Sequence, residues 1–337
     1  MNRKEFGLQA ESFLKHLFEQ LNSHKVQLFS RWSIDHLCFR AQSTESYHQF
    51  KKHFSQFASL LIESEVNGRL IATYKLHEAI MFHGYCIDLV ELPAPKAGKV
   101  TPEGFEHVEV ICDLPLAELQ ETYQHLKLDA GGLKKAFNQE LEIEMSGCAL
   151  KFHALSLESV INLEKNQRAH RALMNSRVLE QLRAYSPLVA GTFPLNVNID
   201  SSDLDILLTA KDFSTLEKEI TTLFGSLSQF ECYQTTVNNT ASLIARFSFE
   251  GVPFELFAQD TPSIQQTAYK HFQVEERLLK IGGESLRRSI LELRKNGLKT
   301  EPAFAKALNI SGDPYGALLE LHAKSENELK HLLFPNA

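Results

Sequence analysis

Residues 191–208, GTFPLNVNIDSSDLDILL, indicate the fold and chemistry of this chain more specifically than any other stretch does. The apolar run 204–208 predicts a β-strand, so Asp203 and Asp205, two residues apart, are expected to project from one face. Strand surfaces avoid aspartate, and two carboxylates on one face repel each other unless a cation lies between them. Glu255, alone in the apolar stretch 252–257 (VPFELF), adds a third acid. The pattern predicts a divalent-cation site built on two strands.

The composition of the whole chain places it among ordinary globular proteins. Its 337 residues are enough for two hydrophobic cores, with 43% hydrophobic residues, 23% charged residues and a net charge of -7. Because neither half contains a basic tract, duplex nucleic acid is not an expected partner. No apolar run approaches membrane-spanning length, and the N-terminus begins an amphipathic helix rather than a signal peptide. We therefore expect no membrane association and a cytoplasmic location.

A polar stretch near residues 162–170 divides the chain into two halves of different character. Eleven of the fourteen histidines precede Arg171. The first half alternates strands and helices and the second ends in a helical tail, so the sequence predicts an α+β protein with domains at 1–165 and 170–337. The oligomeric state is open.

The first half contains two similar series of predicted elements. After a helix at 5–21, a strand (33–41), a helix (44–57) and further strands ending near Glu91 are followed by a second strand (105–112), helix (116–126) and two strands (141–145 and 148–153). This order predicts a tandem duplication of a βαββ(β) module. In its first strands, alternation places His36 on the face opposite Leu37, and His107 with Glu109 on the face opposite Val108.

Three segments of this half resemble the YecM-like family of the vicinal oxygen chelate superfamily: 34–40 (IDHLCFR), 88–96 (DLVELPAPK) and 105–110 (FEHVEV). The resemblance implies a tandem βαβββ fold that holds a divalent metal. It also implies a metal set from the first and last strands of each module: His36, Glu91, His107 and His153. Imidazole and carboxylate together suit Zn, Ni, Fe or Mn. Glu109 shares a face with His107 and is a reserve candidate for a base or ligand. The alternative is that these are hydrogen-bonded strand histidines without metal.

The second half resembles an uncharacterised family within the nucleotidyltransferase superfamily, which has the polymerase-beta-like fold. The matching segments are 191–192, 202–205, 254–257, 265–279, 299–304 and 312–315. The resemblance implies that Asp203 and Asp205 bridge two Mg²⁺ or Mn²⁺ ions and that Glu255 holds the catalytic one. It further implies that Gly191, Thr192 and Ser202 belong to the part of the site that binds the nucleotide. Phe193-Pro194 and the alternating residues after it predict an extended segment including a strand at 196–198, rather than the helix N-terminus that would bind phosphate.

Two functional hypotheses follow from these patterns. The first is metal-dependent transfer of a nucleotidyl group to a small molecule or another acceptor, with a nucleoside triphosphate as candidate substrate. The alternative is a binding protein in which one or both folds capture metal or ligand without catalysis. In the helical tail, the i,i+4 pattern of Tyr269, His271, Glu275 and Arg277 favours a solvated helix over residues that line a site.

Overall fold

The computed structural model describes residues 1–66, 68–96, 98 and 102–334, and these residues form two compact units. The first unit comprises Met1–Cys112, Leu116–Lys135 and Gln139–Leu157. The second begins at Glu158 and includes Asp113–Pro115 and Ala136–Asn138. In the described part of the chain, no helix is both long enough and apolar enough to cross a membrane.

The described residues of the N-terminal unit form three α-helices and eight strands. In chain order they are α1 (Arg3–Ser23), β1 (Ser33–Arg40), α2 (Thr44–Phe54), β2 (Ala58–Val66), β3 (Arg69–Phe82), β4 (Tyr85–Pro93), β5 (Gly104–Ile111), α3 (Leu116–Thr122), β6 (Lys127–Asp129), β7 (Glu140–Met145) and β8 (Cys148–His153). The strands form one sheet in the order β2-β3-β4-β1-β5-β8-β7-β6. This order is two βαβββ modules side by side.

The pairing of the four central strands fixes how the two modules meet. Within each module the first strand lies parallel to the last, β1 beside β4 and β5 beside β8, and the modules join through the antiparallel pair β1–β5. Strand β6 was not predicted from the sequence. It has only three residues, two of them exposed, so it carries no readable alternation.

One face of this sheet is covered by aromatic side chains from the helices. Phe39 of β1 packs against Phe50 and Phe54 of α2, with ring centroids 4.8 and 5.8 Å apart, and against Phe6 of α1 at 6.4 Å. The alternation of a strand then turns His36 to the opposite face.

The second unit begins with short helices and continues as a five-stranded sheet. Its first elements are α4 (Leu157–Lys165), α5 (Gln167–Ser176), α6 (Val178–Gln181), β9 (Leu188–Ala190), β10 (Leu204–Thr209), α7 (Phe213–Phe224), β11 (Ser228–Val237), β12 (Thr240–Phe249) and β13 (Val252–Gln259). The sheet order is β11-β12-β13-β10-β9, with β10 parallel to β13 and the other pairs antiparallel. The predicted α+β class is confirmed.

Four helices follow the second sheet: α8 (Thr267–Lys295), α9 (Thr300–Ala307), α10 (Pro314–His322) and α11 (Glu326–Leu333). The backbone of α8 leaves helical geometry at Gly283, where φ is 61°. The expectation that this tail helix is solvated on the face of Tyr269, His271, Glu275 and Arg277 is wrong, because all four side chains are buried.

The segment 191–203 also differs from its sequence prediction. Residues 196–198 form no strand, and residues 192–196 make turns. The Val197 amide donates to the Thr192 carbonyl at 3.1 Å, and Asn196 has a φ of 54°. A residue with positive φ cannot continue an extended strand, so the alternation around it misled the prediction. As the sequence predicted, no helix begins after Gly191-Thr192.

Candidate functional site

The polar face of the first sheet brings two histidines and two glutamates together. His36, Glu91, His107 and Glu109 each offer a ligand atom, and these four atoms all lie within 4.8 Å of one another. Strand register explains the meeting. His36 of β1 lies opposite Glu109 of β5, while Cys38, two residues further along β1, lies opposite both Glu91 of β4 and His107 of β5.

The Nε2 atoms of the two histidines point at the two carboxylates. His36 Nε2 lies 3.7 Å from Glu91 Oε2 and 3.6 Å from Glu109 Oε1. His107 Nε2 lies 3.2 Å from the same Glu109 oxygen. Both Nε2 atoms are buried, and neither makes a hydrogen bond of good geometry.

The opposite nitrogen of each ring is held by the preceding residue of the chain. His36 Nδ1 lies 2.9 Å from Asp35 Oδ2, and His107 Nδ1 lies 3.0 Å from Glu106 Oε2. Asp35 also accepts the Leu157 amide at 2.9 Å. A carboxylate on Nδ1 favours the tautomer whose Nε2 lone pair faces the cluster, which is the arrangement that orients metal-ligating histidines.

Sequence reasoning missed the orienting role of Asp35 and Glu106. A usable signal was present, because an acid directly precedes the histidine in both Asp35-His36 and Glu106-His107. The repeat of this dipeptide at equivalent strands of the two modules could have identified both carboxylates.

The electrostatics of the cluster show how it is balanced by its own side chains. Burial opposes charging of His36, but the negative charges of Glu109, Asp35 and Glu91 raise its pKa well above the usual range. Burial opposes ionisation of Glu109, yet His36, Lys151 and His107 hold its pKa well below the usual range. Protons on the imidazoles thus supply the positive charge that a bound cation would supply in their place.

His153, the fourth residue implied by the resemblance, lies beside the four-residue group and outside it. Its Nε2 is 3.5 Å from Glu109 Oε2 and 3.6 Å from Asp35 Oδ2, and its Nδ1 contacts the Leu155 carbonyl. Glu109, and not His153, is the fourth member of the group with His36, Glu91 and His107. Lys151 on β8 contacts the same carboxylate, with Nζ 3.1 Å from Oε1.

A second, overlapping group consists of Cys38, Glu106 and His107. Glu106 is held there by an ion pair with Arg40. Burial opposes its ionisation, but His107 and Arg40 lower its pKa to about 2. The first group offers four donors and this one three, so the four-residue group is the better candidate metal centre.

In the second unit, the acids of the opening motif lie on neighbouring strands. Asp205 of β10 pairs with Glu255 of parallel strand β13 on one side and with Ala190 of β9 on the other. Gly191 has a φ of 72°, and a Cβ at this position would lie 1.8 Å from Asp205 Oδ2. Only glycine allows the backbone to approach this carboxylate so closely.

The three acids do not form a donor group as compact as that of the first unit. Within the described residues, no set containing Asp203, Asp205 and Glu255 has ligand atoms all within 4.8 Å. Glu255 instead accepts from Arg246, with Nε 2.8 Å and Nη2 2.6 Å from Oε2. Burial raises the pKa of Asp205 well above its usual range, and the charges of Asp203, Glu255 and Glu301 raise it further.

The residues assigned to nucleotide binding lie at the turn before β10. Ser202 Oγ accepts the Ile199 amide at 2.9 Å and an N–H of Arg294 at 3.2 Å. Thr192 is buried, and its hydroxyl makes no hydrogen bond. No helix follows Gly191-Thr192, so the turn lacks the helix N-terminus that favours phosphate.

Taken alone, the fold and the two sites define a two-domain α+β protein with histidine–carboxylate chemistry in one domain and a carboxylate cluster in the other. Residues 3–155 match the YecM protein family, and residues 171–321 match a domain of unknown function, DUF4269. The protein therefore consists of a YecM domain followed by a DUF4269 domain.

Similar proteins cover one half of the chain each. Protein YecM of Escherichia coli (strain K12) is 25% identical over 166 residues, which is 45% of this chain and 88% of that protein. A solved structure described as Protein EC4020 is 22% identical, with a TM-score of 0.40, over 47% of this chain and 90% of its own. A Cid1 poly(U) polymerase structure with Mg 3'-dATP bound is 14% identical, with a TM-score of 0.31, over 46% of this chain and 48% of its own. At TM-scores this low, neither solved structure defines a site in this chain.

Proposed function

We propose that the protein is a metal-binding protein whose YecM domain holds one divalent transition metal through His36, Glu91, His107 and Glu109. The observation that carries this proposal is the meeting of four ligand atoms within 4.8 Å on one sheet face. Two imidazoles and two carboxylates form a donor set suited to Zn, Mn, Fe or Ni.

The chemistry of the donors fits a metal in two further ways. The buried Nε2 atoms of His36 and His107 make no hydrogen bond, which is costly unless something binds them. Asp35 and Glu106 hold the opposite ring nitrogens, as outer-shell carboxylates do at metal centres. A bound metal would act as a Lewis acid. The side chains of this domain would hold the metal in position and balance its charge.

The test is metal binding by the full chain. We expect the protein, stripped with EDTA, to bind one equivalent of Zn²⁺ or Mn²⁺ in calorimetric titration. A His36→Ala, His107→Ala variant should lose this binding, and Asp35→Asn should weaken it by about 10–100-fold because the His36 ring loses its orienting carboxylate.

The control is a His48→Ala, His77→Ala variant, which changes two exposed histidines of the same domain. It should bind metal like the parent. A parent protein that binds no transition metal, or a double variant at His36 and His107 that still binds it, would falsify the proposal.

Nucleotidyl transfer by the second domain is the competing function. The observation that favours it is the placement of Asp205 beside Glu255 with the Gly191 backbone against its carboxylate. Incubation with Mg²⁺ and nucleoside triphosphates would reveal this activity as pyrophosphate release that Asp205→Asn removes. We also propose a cytoplasmic location for the protein.

A further inference from the structure

The carboxylate cluster of the second domain is larger than its sequence motif. Besides Asp203, Asp205 and Glu255 it involves Glu275 of α8 and Glu301 of α9, whose charges act on the motif residues. Glu275 is 4% exposed, and its Oε1 makes no hydrogen bond. Ionised acids this close together repel one another, so the cluster favours either protonation of some carboxyls or positive charge nearby.

One positive charge lies directly on Glu255. Arg246 of β12 stands opposite Glu255 in the antiparallel register and donates through Nε and Nη2 to a single carboxylate oxygen. Its Nη1 donates to the Tyr233 hydroxyl at 3.0 Å, which fixes the guanidinium plane. Charge-assisted bonds of this kind are about twice as strong as neutral ones. One of the two carboxylate oxygens of Glu255 is therefore already engaged by a guanidinium.

A second positive charge enters from the helical tail. Arg294 of α8 is 8% exposed and bridges two segments, because it donates to Ser202 Oγ at 3.2 Å and to Thr300 Oγ1. Burial lowers its pKa, while the charges of Glu275, Asp205, Glu301 and Asp203 oppose that shift. A guanidinium keeps its proton in proteins, so Arg294 remains a fixed cation within the cluster.

These contacts do not fit the two-metal site that the nucleotidyltransferase resemblance implies. The ligand atoms of the three motif acids form no common group within 4.8 Å among the described residues, and the backbone at Gly191 covers one side of Asp205. We infer that Arg246 and Arg294 are the resident cations of this cluster and that they exclude divalent metal from Asp203, Asp205 and Glu255.

The experiment measures Mn²⁺ binding by electron paramagnetic resonance of free Mn²⁺. The full chain is used with His36→Ala and His107→Ala as background, so that the first domain contributes no binding. We expect no Mn²⁺ to bind this background protein. Adding Arg294→Met or Arg246→Met should create one Mn²⁺ site, because a positive charge next to the half-buried carboxylates is removed.

Two controls make the result specific. Arg288→Met removes an arginine from the same helix that is 78% exposed at its side chain, and it should create no site. Adding Asp205→Asn to either arginine variant should abolish the new site. If Arg294→Met does not fold, Arg246→Met still tests the inference, since that side chain is 45% exposed and its loss leaves no cavity in the core.

Two results would overturn the inference. One is Mn²⁺ binding by the background protein that Asp205→Asn removes, which would mean that the acids bind metal despite the arginines. The other is the absence of binding in both arginine variants. Neither result bears on metal binding by the YecM domain. The His36→Ala and His107→Ala substitutions remove that binding from every protein in this experiment.

Discussion

At the scale of single residues, a neighbouring acid decides what each histidine of the first domain can do. Asp35 and Glu106 contact the Nδ1 atoms of the adjacent histidines and leave Nε2 to the cluster. From the sequence, each histidine can be recognised only as a polar residue on one face of a strand. Its orientation depends on the carboxylate of the preceding residue, which contacts Nδ1.

Glu275 is the residue whose titration should be easiest to detect. Burial raises its pKa well above the usual range, Glu301 and Asp205 raise it further, and Arg294 opposes them. The folded state therefore binds a proton that the unfolded state releases. The stability that this proton contributes is complete below the ordinary glutamate pKa and is lost as the pH rises through the higher folded value.

We predict that Glu275→Gln increases the free energy of unfolding by about 1 kcal/mol or more near pH 8, because the parent must there either ionise a buried carboxyl or keep a proton that the unfolded chain has released. The gain should shrink as the pH falls below the ordinary glutamate pKa of about 4.5, where the parent glutamate becomes protonated in both states. Urea unfolding across this range measures it. Glu292→Gln, an exposed site on the same helix, is the control. An equal gain at both ends of the pH range would contradict the assignment.

At the scale of elements, helix α8 shows how packing overrides a surface pattern. Its residues Tyr269, His271, Glu275 and Arg277 repeat at helical spacing and read as a solvated face. In the structure His271 Nε2 contacts the Tyr315 carbonyl at 3.0 Å, and Arg277 Nη1 donates to the His322 carbonyl at 3.1 Å. His271 and Arg277 can be buried because they contact backbone carbonyls of the neighbouring helix α10.

Arg277 makes two contacts with backbone carbonyls at the end of α10, because Nη2 also donates to the Lys324 carbonyl. Replacing it with leucine leaves carbonyls at the end of α10 without donors. We predict that Arg277→Leu lowers the free energy of unfolding by about 1–3 kcal/mol, the cost of unsatisfied buried groups. Thermal or urea unfolding measures the loss.

The matched substitution Arg288→Leu changes an exposed arginine of the same helix and should shift stability by no more than about 0.5 kcal/mol. Equal effects of the two substitutions would show that the carbonyl contacts of Arg277 are not the cause.

At the scale of the whole molecule, the two units divide after Leu157. Residues of α4 after Leu157 make contacts inside the second unit, where Asn162 Nδ2 donates to the Pro194 carbonyl at 3.0 Å and Ser159 contacts Glu276. The sequence-based boundary at 165–170 rests on polar composition, which marks exposure and does not show which core a helix joins.

We predict that fragments 1–157 and 158–337 are each soluble and cooperatively folded. A second fragment that starts at residue 170 should melt at a lower temperature than 158–337, because it loses α4 and the N-cap of α5 at Asn166. Fragment 1–157 should bind Zn²⁺ as the full chain does. Circular dichroism and calorimetry measure these properties. Failure of both fragments divided after Leu157 to fold would contradict two independent units.

The sequence by itself determined the two families, the α+β class and the faces on which the candidate residues lie. These features are local, since alternation along a strand and short polar motifs are written within a few residues. His36, Glu91 and His107 could be selected for that reason, as could Asp203, Asp205 and Glu255.

Only the tertiary structure decided which of these side chains meet. Glu109 rather than His153 joins the compact four-residue group, because the antiparallel register of β1 and β5 sets it opposite His36. Arg246 and Arg294 reach the second cluster from a neighbouring strand and from a helix about 90 residues further along the chain than Ser202. Strand register and helix packing bring together residues that are distant in sequence, and no periodicity in a single segment records those distances.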